Sequence, residues 1–304
     1  MDKNPAAVEL AKLSLWLVTM SKTLPFTFVD HALRHGDSLV GLDLDQIKAF
    51  HWKPKKQLDF VEKTLTDALE QSLSYRSEIL ALAHKEDPVS QSEKRRLLEY
   101  SQQAIDHIRL IADVCVGAFF AKAGDKARET ERNRRMGLVQ AYLGGKEEVR
   151  AELEELADTI CAEQSPFHWM IEFPEVFYKE RSDPLDKDAV NRAAFMEAVV
   201  GNPPFLEGSS ISSNFGDGYR DWLLTVHENS HGNADLVAHF FRRAGSLLGF
   251  HGTMGLIATN TIGQGDTRTT GLKQLSDQNF SIYDATTNFT WPGDAAVTVS
   301  IVRI

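Results

Sequence analysis

Apolar positions along this chain follow two different periods. Between residues 46 and 164 they recur at steps of three and four. Val61, Leu65, Leu69 and Leu73 mark one helix, and Leu97, Tyr100, Ala104, Ile108, Ile111, Cys115 and Ala118 mark another. Asp87-Pro88 separates the two, and Ser90-Gln91-Ser92-Glu93 has the form of a capping box that starts the second. A third, charged helix is expected from near Lys146 towards Cys161, after the Gly144-Gly145 break. Before this stretch, Pro5 and the apolar set Val8, Leu10, Ala11, Leu13, Leu15 and Leu17 predict a mostly buried helix near the start. A strand-like Phe26–Val29 and the turn His35-Gly36-Asp37-Ser38 follow it. After residue 165 short apolar runs (Ala198–Val200, Met254–Ala258 and Ala296–Val302) alternate with helical ones such as Ala234–Leu248. That alternation predicts a parallel sheet covered on both faces. Three regions result: 1–45, 46–164 as a helical insertion, and 165–304. The fold class is α/β.

Composition narrows the class without naming a reaction. The chain has 304 residues, 42% apolar and 25% charged, which suits an ordinary globular protein with a large core. Its two cysteines, Cys115 and Cys161, provide neither a disulfide framework nor a four-ligand zinc site, so a reducing, cytoplasmic setting is the default. The apolar stretch Val8–Met20 is interrupted by Glu9, Lys12 and Ser14, unlike a signal peptide or a membrane span. A net charge of −10 argues against coating nucleic acid by bulk electrostatics but permits a local basic face.

The chemistry concentrates at Gly201-Asn202-Pro203-Pro204-Phe205, directly after the run Ala198–Val200. That is the carboxyl end of a strand, where open α/β sheets bind ligands. Two prolines fix φ and lack N–H groups, giving a rigid loop outside the ladder. Such a loop presents the Asn202 side chain and neighbouring carbonyls as fixed acceptors, beside the flat face of Phe205. Acceptors next to a stacking platform suit an amino group on a planar ring, such as an extruded nucleobase. The plainer alternative is a Pro-Pro turn leaving a strand.

GNPPF resembles the catalytic loop, with its preceding glycine, of S-adenosylmethionine-dependent amino-methyltransferases. Asn at its first position favours N6-adenine over N4-cytosine in that family. The segments FHWMIEFPEVF (Phe167–Phe177), AVVGNPPF, ADLVAHFFRRAGSLL, GLIATNTIGQGDTR and WPGDAAVTVSIV are similar to large adenine-specific methyltransferases of bacterial restriction–modification and phage-exclusion systems. DKNPAAVELAKLSLWL and LRHGDSLVGL resemble the family's segments ahead of the catalytic loop. One departure is Phe195-Met196-Glu197, where a glycine, an aromatic and an acid are expected.

The resemblance implies a Rossmann-like class I methyltransferase core, partial and lacking its first strand, with a large helical insertion. It implies S-adenosyl-L-methionine as cofactor, with Asp2 on the ribose hydroxyls, Asp37 near the adenine amine, and Gly201 and Asn202 facing the methyl donor. The catalytic set is Asn202, Pro203, Pro204 and Phe205. The family's glycine-rich cofactor turn has no counterpart here, since Gly263-Gln264-Gly265 and Gly216-Asp217-Gly218 are lone pairs of glycines. The chain alone is therefore expected to bind cofactor weakly and to pair with a complementing segment. Double-stranded DNA is the implied partner, with a complementing methyltransferase, specificity or nuclease chain beside it and no membrane. Gln264, Asp266, Thr267 and Arg268 are expected near the substrate pocket or the DNA backbone. The alternatives are a split or inactive subunit and a protein glutamine amide methyltransferase; the long helical insertion favours DNA over the latter.

Two further patterns compete. His227-Glu228-Asn229-Ser230-His231 fits H-E-x-x-H, but Asn229, Ser230, Gly232 and Asn233 predict a loop, which a zinc-binding helix cannot use, so no metal is expected. Likewise His31 and His35 read as a solvated turn. Lys53, Lys55 and Lys56, then Lys126, Arg128, Arg132, Arg134 and Arg135, form either a phosphate-facing surface or a solvated helix face interrupted by Glu129 and Glu131.

Overall fold

The computed structural model describes residues 1–18, 32–53, 59–82, 85, 87–182, 190–191, 195–291 and 298–304. Phe26–Val29, His31, Lys55, Lys56, Ala296 and Val297 lie outside the described residues. The chain divides into two compact units, Met1–Lys179 and Glu180–Ile304. Residues 165–179, expected with the last region, therefore belong with the helices.

The first unit contains α1 (Pro5–Val18), α2 (Leu44–Ala49), α3 (Asp59–Ala81), α4 (Pro88–Phe120), α5 (Asp125–Leu143), α6 (Arg150–Gln164) and the short α7 (Trp169–Glu172) and α8 (Pro174–Phe177). The periodicity of α4 is realised as packing: Leu97, Ala104, Ile108, Ile111, Cys115 and Ala118 are buried, while Tyr100 stays exposed against Tyr75. The helix starts earlier than the expected capping box. Asp87 is the N-cap and accepts the Ser90 N–H at 3.0 Å, with Pro88 in the first turn, so Ser90 is already helical. Helix α1 departs most from expectation, because only Val8 is buried and Leu10 is 63% exposed. Its apolar positions 8, 10, 11, 13, 15 and 17 do not gather into one stripe of 3.6-residue period, so a single packed side captures few of them.

Buried polar groups join the helices to the segments before and after them. The Glu172 carboxylate accepts from Arg34 at 2.6 Å and from Arg109 of α4 at 2.7 Å. Arg76 of α3 donates to the Glu172 carbonyl at 2.6 Å and pairs with Glu175 at 3.0 Å. His168 Nδ1 accepts the Leu42 N–H at 2.9 Å, which leaves the ring proton on Nε2, 3.0 Å from Asp113 of α4. Gly41 lies so close to this segment that a Cβ there would sit 2.1 Å from the Phe167 carbonyl oxygen.

In the second unit, β1 (Arg181–Ser182) pairs antiparallel with β2 (Val190–Asn191). A four-stranded sheet is built from β3 (Met196–Gly201), β4 (Leu248–Thr259), β5 (Asp284–Thr290) and β6 (Thr298–Arg303), in the order β3-β4-β6-β5. The sheet is mixed, correcting the all-parallel expectation: β3 and β4 are parallel, while β6 runs antiparallel to both β4 and β5. Parallel pairing needs a crossover of a dozen or more residues. The stretch from α9 (Ile211–Phe215) through α10 (Asp217–Val226) to α11 (Leu236–Leu247) supplies one between β3 and β4, whereas only residues 291–297 separate β5 from β6. Coverage is also less than expected. Val237, Ala238, Phe241 and Ala244 of α11 pack with Met254, Leu256, Ala258 and Val302 on one face, whereas every residue of β5 is exposed.

Candidate active site

Strand β3 delivers the Asn-Pro-Pro-Phe loop beside the end of β4. Gly201 is level with Leu256, so β4 continues three residues beyond it to Thr259. Past Gly201 the backbone leaves the ladder, as two prolines without N–H groups require. Pro203 is buried while Asn202, Pro204 and Phe205 are exposed. Burial of the first proline anchors the loop, and the acceptor amide and the aromatic ring stay on its open side.

Beyond Phe205 the chain is fastened to α11. Leu236 donates its N–H to the Leu206 carbonyl at 2.9 Å, and the Gly208 N–H donates to Asp235 Oδ1 at 3.1 Å. Gly208 has to be glycine for this approach, since a Cβ would sit 2.3 Å from the backbone of Asn233. At the end of β4, Asn260 links neighbouring strands: it donates to Asn288 at 2.7 Å and accepts from Ser300 at 2.7 Å. Thr261 donates to Asp235 Oδ2 at 2.5 Å. Asp235 and Gly208 are thus site residues that motif reading missed. Asp235 has the appearance of a helix cap, and nothing in the local sequence marks its distant partners.

Of the four residues expected near substrate, Asp266, Thr267 and Arg268 fall on α12 (Gly265–Arg268) and Gln264 stands at its N-cap; the helix continues through a π-helical turn, Thr269–Lys273, into α13 (Gln274–Asp277). Thr267 is buried and accepts the Asp235 N–H at 3.1 Å. Asp266 pairs with His231 Nδ1 at 2.8 Å, and Gln264 and Arg268 are exposed. The H-E-x-x-H segment is a loop, as its composition predicts: α10 ends at Val226, His227 is buried with Nδ1 2.9 Å from His239 Nδ1, and His231 is exposed. The two histidines have different partners. Among the described residues, no group of three or more His, Cys, Asp or Glu side chains is placed to hold a metal ion.

In the first unit, Asp2 and Asp37 lie on adjacent parallel segments, Asp2 bridging to His35 and Asp37 to Pro166. Asp2 is exposed, and its Oδ1 accepts the Asn4 N–H at 2.7 Å ahead of α1. Asp37 is buried, with Lys3 Nζ 2.9 Å from Oδ2 and the Leu39 N–H 2.9 Å from Oδ1.

The arginines of the α5 cluster are engaged within the fold, while Lys126 is exposed. Arg128 lies 3.9 Å over the Phe119 ring and donates to the carbonyls of Phe119 and Lys122. Arg132 pairs with Glu129, Arg134 with Glu131 and Glu152, and the buried Arg135 with Glu131. The glutamates that interrupt the cluster are its partners, so the arginines form an ion-paired helix face, solvated at Arg134 and buried at Arg128 and Arg135.

A mixed α/β half-sheet with an Asn-Pro-Pro-Phe loop at a parallel strand's end, joined in sequence to a large helical segment, is the arrangement of a partial methyltransferase core with an insertion. The chain belongs to the Eco57I restriction-modification methylase family, whose sequence model matches residues 1–286. Among solved structures, one titled for the Type IIL restriction-modification enzyme MmeI in complex with DNA is similar at 26% identity over 35% of this chain, with a TM-score of 0.31. The match spans 15% of that enzyme's chain. No curated protein matches the sequence. Among the described residues, no helix is long and apolar enough to cross a membrane.

Proposed function

We propose that this chain carries the base-modifying loop of a DNA adenine-N6 methyltransferase in a restriction–modification or phage-defence system. The observation that carries the reading is the loop itself: Pro203 is buried at the carboxyl end of a parallel strand, with Asn202 and Phe205 turned to the open side. Membership of a restriction-modification methylase family supports it. The Asn202 side-chain oxygen and adjacent carbonyls accept the N–H hydrogens of the target amine, which keeps electron density on its nitrogen as that nitrogen becomes bonded to the methyl group. Phe205 stacks on the extruded ring. The proline pair holds both groups in register, so little reorganisation accompanies the reaction.

S-adenosylmethionine supplies the methyl group in this reading. The residues of the first unit fit it unequally. Asp2 is exposed and suits the ribose hydroxyls as an acceptor, whereas both oxygens of the buried Asp37 are already engaged by Lys3 and Leu39. Asp37 holds its own turn in place, and no part of the transfer is assigned to it. The partners proposed are double-stranded DNA and a complementing methyltransferase, specificity or nuclease chain, in the cytoplasm.

Full-length enzyme carrying Asn202→Ala should form N6-methyladenine about 10²–10³-fold more slowly, as for the loss of one transition-state acceptor. Its circular dichroism and DNA binding should be unaltered. Phe205→Ala should weaken productive base binding by about 1–3 kcal/mol. Undiminished methylation by Asn202→Ala would refute the assignment.

A further inference from the structure

Asp235 stands at the N-cap position of α11 with extended backbone, φ −62° and ψ 151°, yet its side chain makes no capping hydrogen bond. A carboxylate there ordinarily accepts from an N–H two or three residues on. Here it reaches away from the helix instead. Oδ1 accepts from the Gly208 N–H at 3.1 Å and Oδ2 from the Thr261 hydroxyl at 2.5 Å. The Asp235 N–H donates to Thr267, and the next N–H, that of Leu236, donates to the Leu206 carbonyl. One residue thereby fastens the backbone just after the Asn-Pro-Pro-Phe loop and the segment just after β4. The helix it starts is rigid, since Val237, Ala238 and Phe241 are buried in the core.

We propose that Asp235 is a positioning residue that fixes the Asn202–Phe205 loop against the end of β4, and so sets where the target base is held. The inference rests on reading that loop as the base pocket. Two donors, an N–H and an O–H, must be met on separate oxygens by a side chain long enough to reach both, which a carboxylate does. An asparagine keeps one oxygen for Gly208 and turns its NH₂ to Thr261, whose own hydroxyl proton then turns to Thr259 Oγ1, 2.6 Å away. A serine caps a helix well but is too short to reach either partner.

The test is hydrogen–deuterium exchange over residues 201–210 in the full chain, compared for Asp235→Ser, Asp235→Asn and the native protein, with helical content followed by circular dichroism. Asp235→Ser should raise exchange of that segment about tenfold, the size expected for a lost hydrogen bond to a charged group, without loss of helix. Asp235→Asn should stay close to native. A merely structural cap predicts no difference between the two, since serine and asparagine cap a helix about equally well. Should Asp235→Ser fail to fold, Thr261→Val removes one arm and leaves the start of α11 intact, and it should also raise exchange at 201–210. Unchanged exchange in Asp235→Ser or Thr261→Val, or equal loosening by serine and asparagine, would overturn the proposal. In the full-length enzyme, Asp235→Ser should lower kcat for adenine methylation with KM for DNA unchanged. A loosened loop together with methylation indifferent to Asn202→Ala would instead keep the clamp and remove the base-pocket reading.

Discussion

Gly201 and Gly208 flank the Asn-Pro-Pro-Phe loop, and alanine should lower stability at the second but not at the first. At Gly208 the added Cβ would lie 2.3 Å from the Asn233 carbonyl carbon and oxygen and 2.6 Å from the Ala234 oxygen. These are backbone atoms that no rotamer change can move, so the segment must shift by about 1 Å to reach ordinary contact. That shift breaks the Gly208 bond to Asp235 and strains the one between Leu236 and Leu206. One bond to a charged group and one between neutral groups together are worth about 2–4 kcal/mol. Against this, alanine reduces the freedom of the unfolded chain, a gain of about 0.4–1 kcal/mol. Gly208→Ala should therefore destabilise by about 1–3 kcal/mol, or roughly 4–12 °C in Tm for a unit of this size. At Gly201 the nearest atom to a Cβ is Leu256 Cδ2 at 3.4 Å, the far end of a side chain. Gly201→Ala should be neutral or slightly stabilising, while losing methylation because the new methyl group lies beside Asn202. Urea unfolding of both variants, with N6-methyladenine formation by the full-length enzymes, reads the two effects separately. A Gly208→Ala protein as stable as the native one would refute the packing argument.

Two further effects follow from buried ionisable groups. Burial alone would push the Glu172 carboxyl up, but the Arg109 and Arg34 guanidinium groups outweigh it and hold it below the ordinary carboxylate range. Glu172→Gln should therefore cost about 1.5–3 kcal/mol by weakening its charged hydrogen bonds to Arg34 and Arg109, of which Arg109 keeps Asp106, and a loss below about 1 kcal/mol in urea unfolding would count against the network. The buried pair His227 and His239 is kept neutral, chiefly by desolvation: His239 falls to about 3, and His227 well below the ordinary 6.5. The folded state binds protons less readily than the unfolded one, so the pair's contribution is complete above about pH 6.5 and is lost as pH falls from there towards about 3. The slope is at most about 1.4 kcal/mol per pH unit for each histidine. Unfolding free energies between pH 7 and pH 5 should show that decline and His239→Leu should flatten it, whereas an equally steep decline in the variant would locate the effect elsewhere.

The elements legible in the sequence are those whose signal is local. Repeats along α3 and α4 and the apolar runs of β4 and β6 mark segments that bury a face of their own, whereas in the run of β3 only Val199 is partly covered and Val200 is exposed. The Asn-Pro-Pro-Phe loop is legible because proline fixes its own backbone wherever it stands. Strand β5 carries no apolar alternation, since all seven of its residues are exposed and its place comes from pairing with β6. The arginines of α5 were ambiguous for a related reason: Phe119 and Val114 of α4, which meet Arg128 and Arg135, lie on another helix. Phe195 shows the converse, a local rule overridden. It takes a left-handed φ of 53° where the family resemblance leads one to expect glycine, a conformation that costs about 1 kcal/mol or more for a residue with a Cβ.

Three aspartates make the limit concrete, because each stands with extended backbone directly before a helix. Asp43 does cap α2, accepting the Gln46 N–H at 2.8 Å while the Gln46 side chain returns to the Asp43 N–H. Asp87 likewise caps α4 through Ser90. Asp235 has the same extended backbone and the same acidic side chain, but its acceptors are claimed by donors 27 and 26 residues away, Gly208 and Thr261. What separates the three is competition. A carboxylate beside a helix start satisfies local N–H groups unless tertiary packing brings stronger or otherwise unmet donors within reach, and a bent loop leaving a strand supplies such a donor in the Gly208 N–H. The N–H groups at the start of α11 illustrate the exchange: that of Leu236 is satisfied by the Leu206 carbonyl of the same loop, so loop and helix meet each other's needs. A cap that fails to cap is therefore a sign that a neighbouring segment depends on it, and here that segment is the one that follows Asn202.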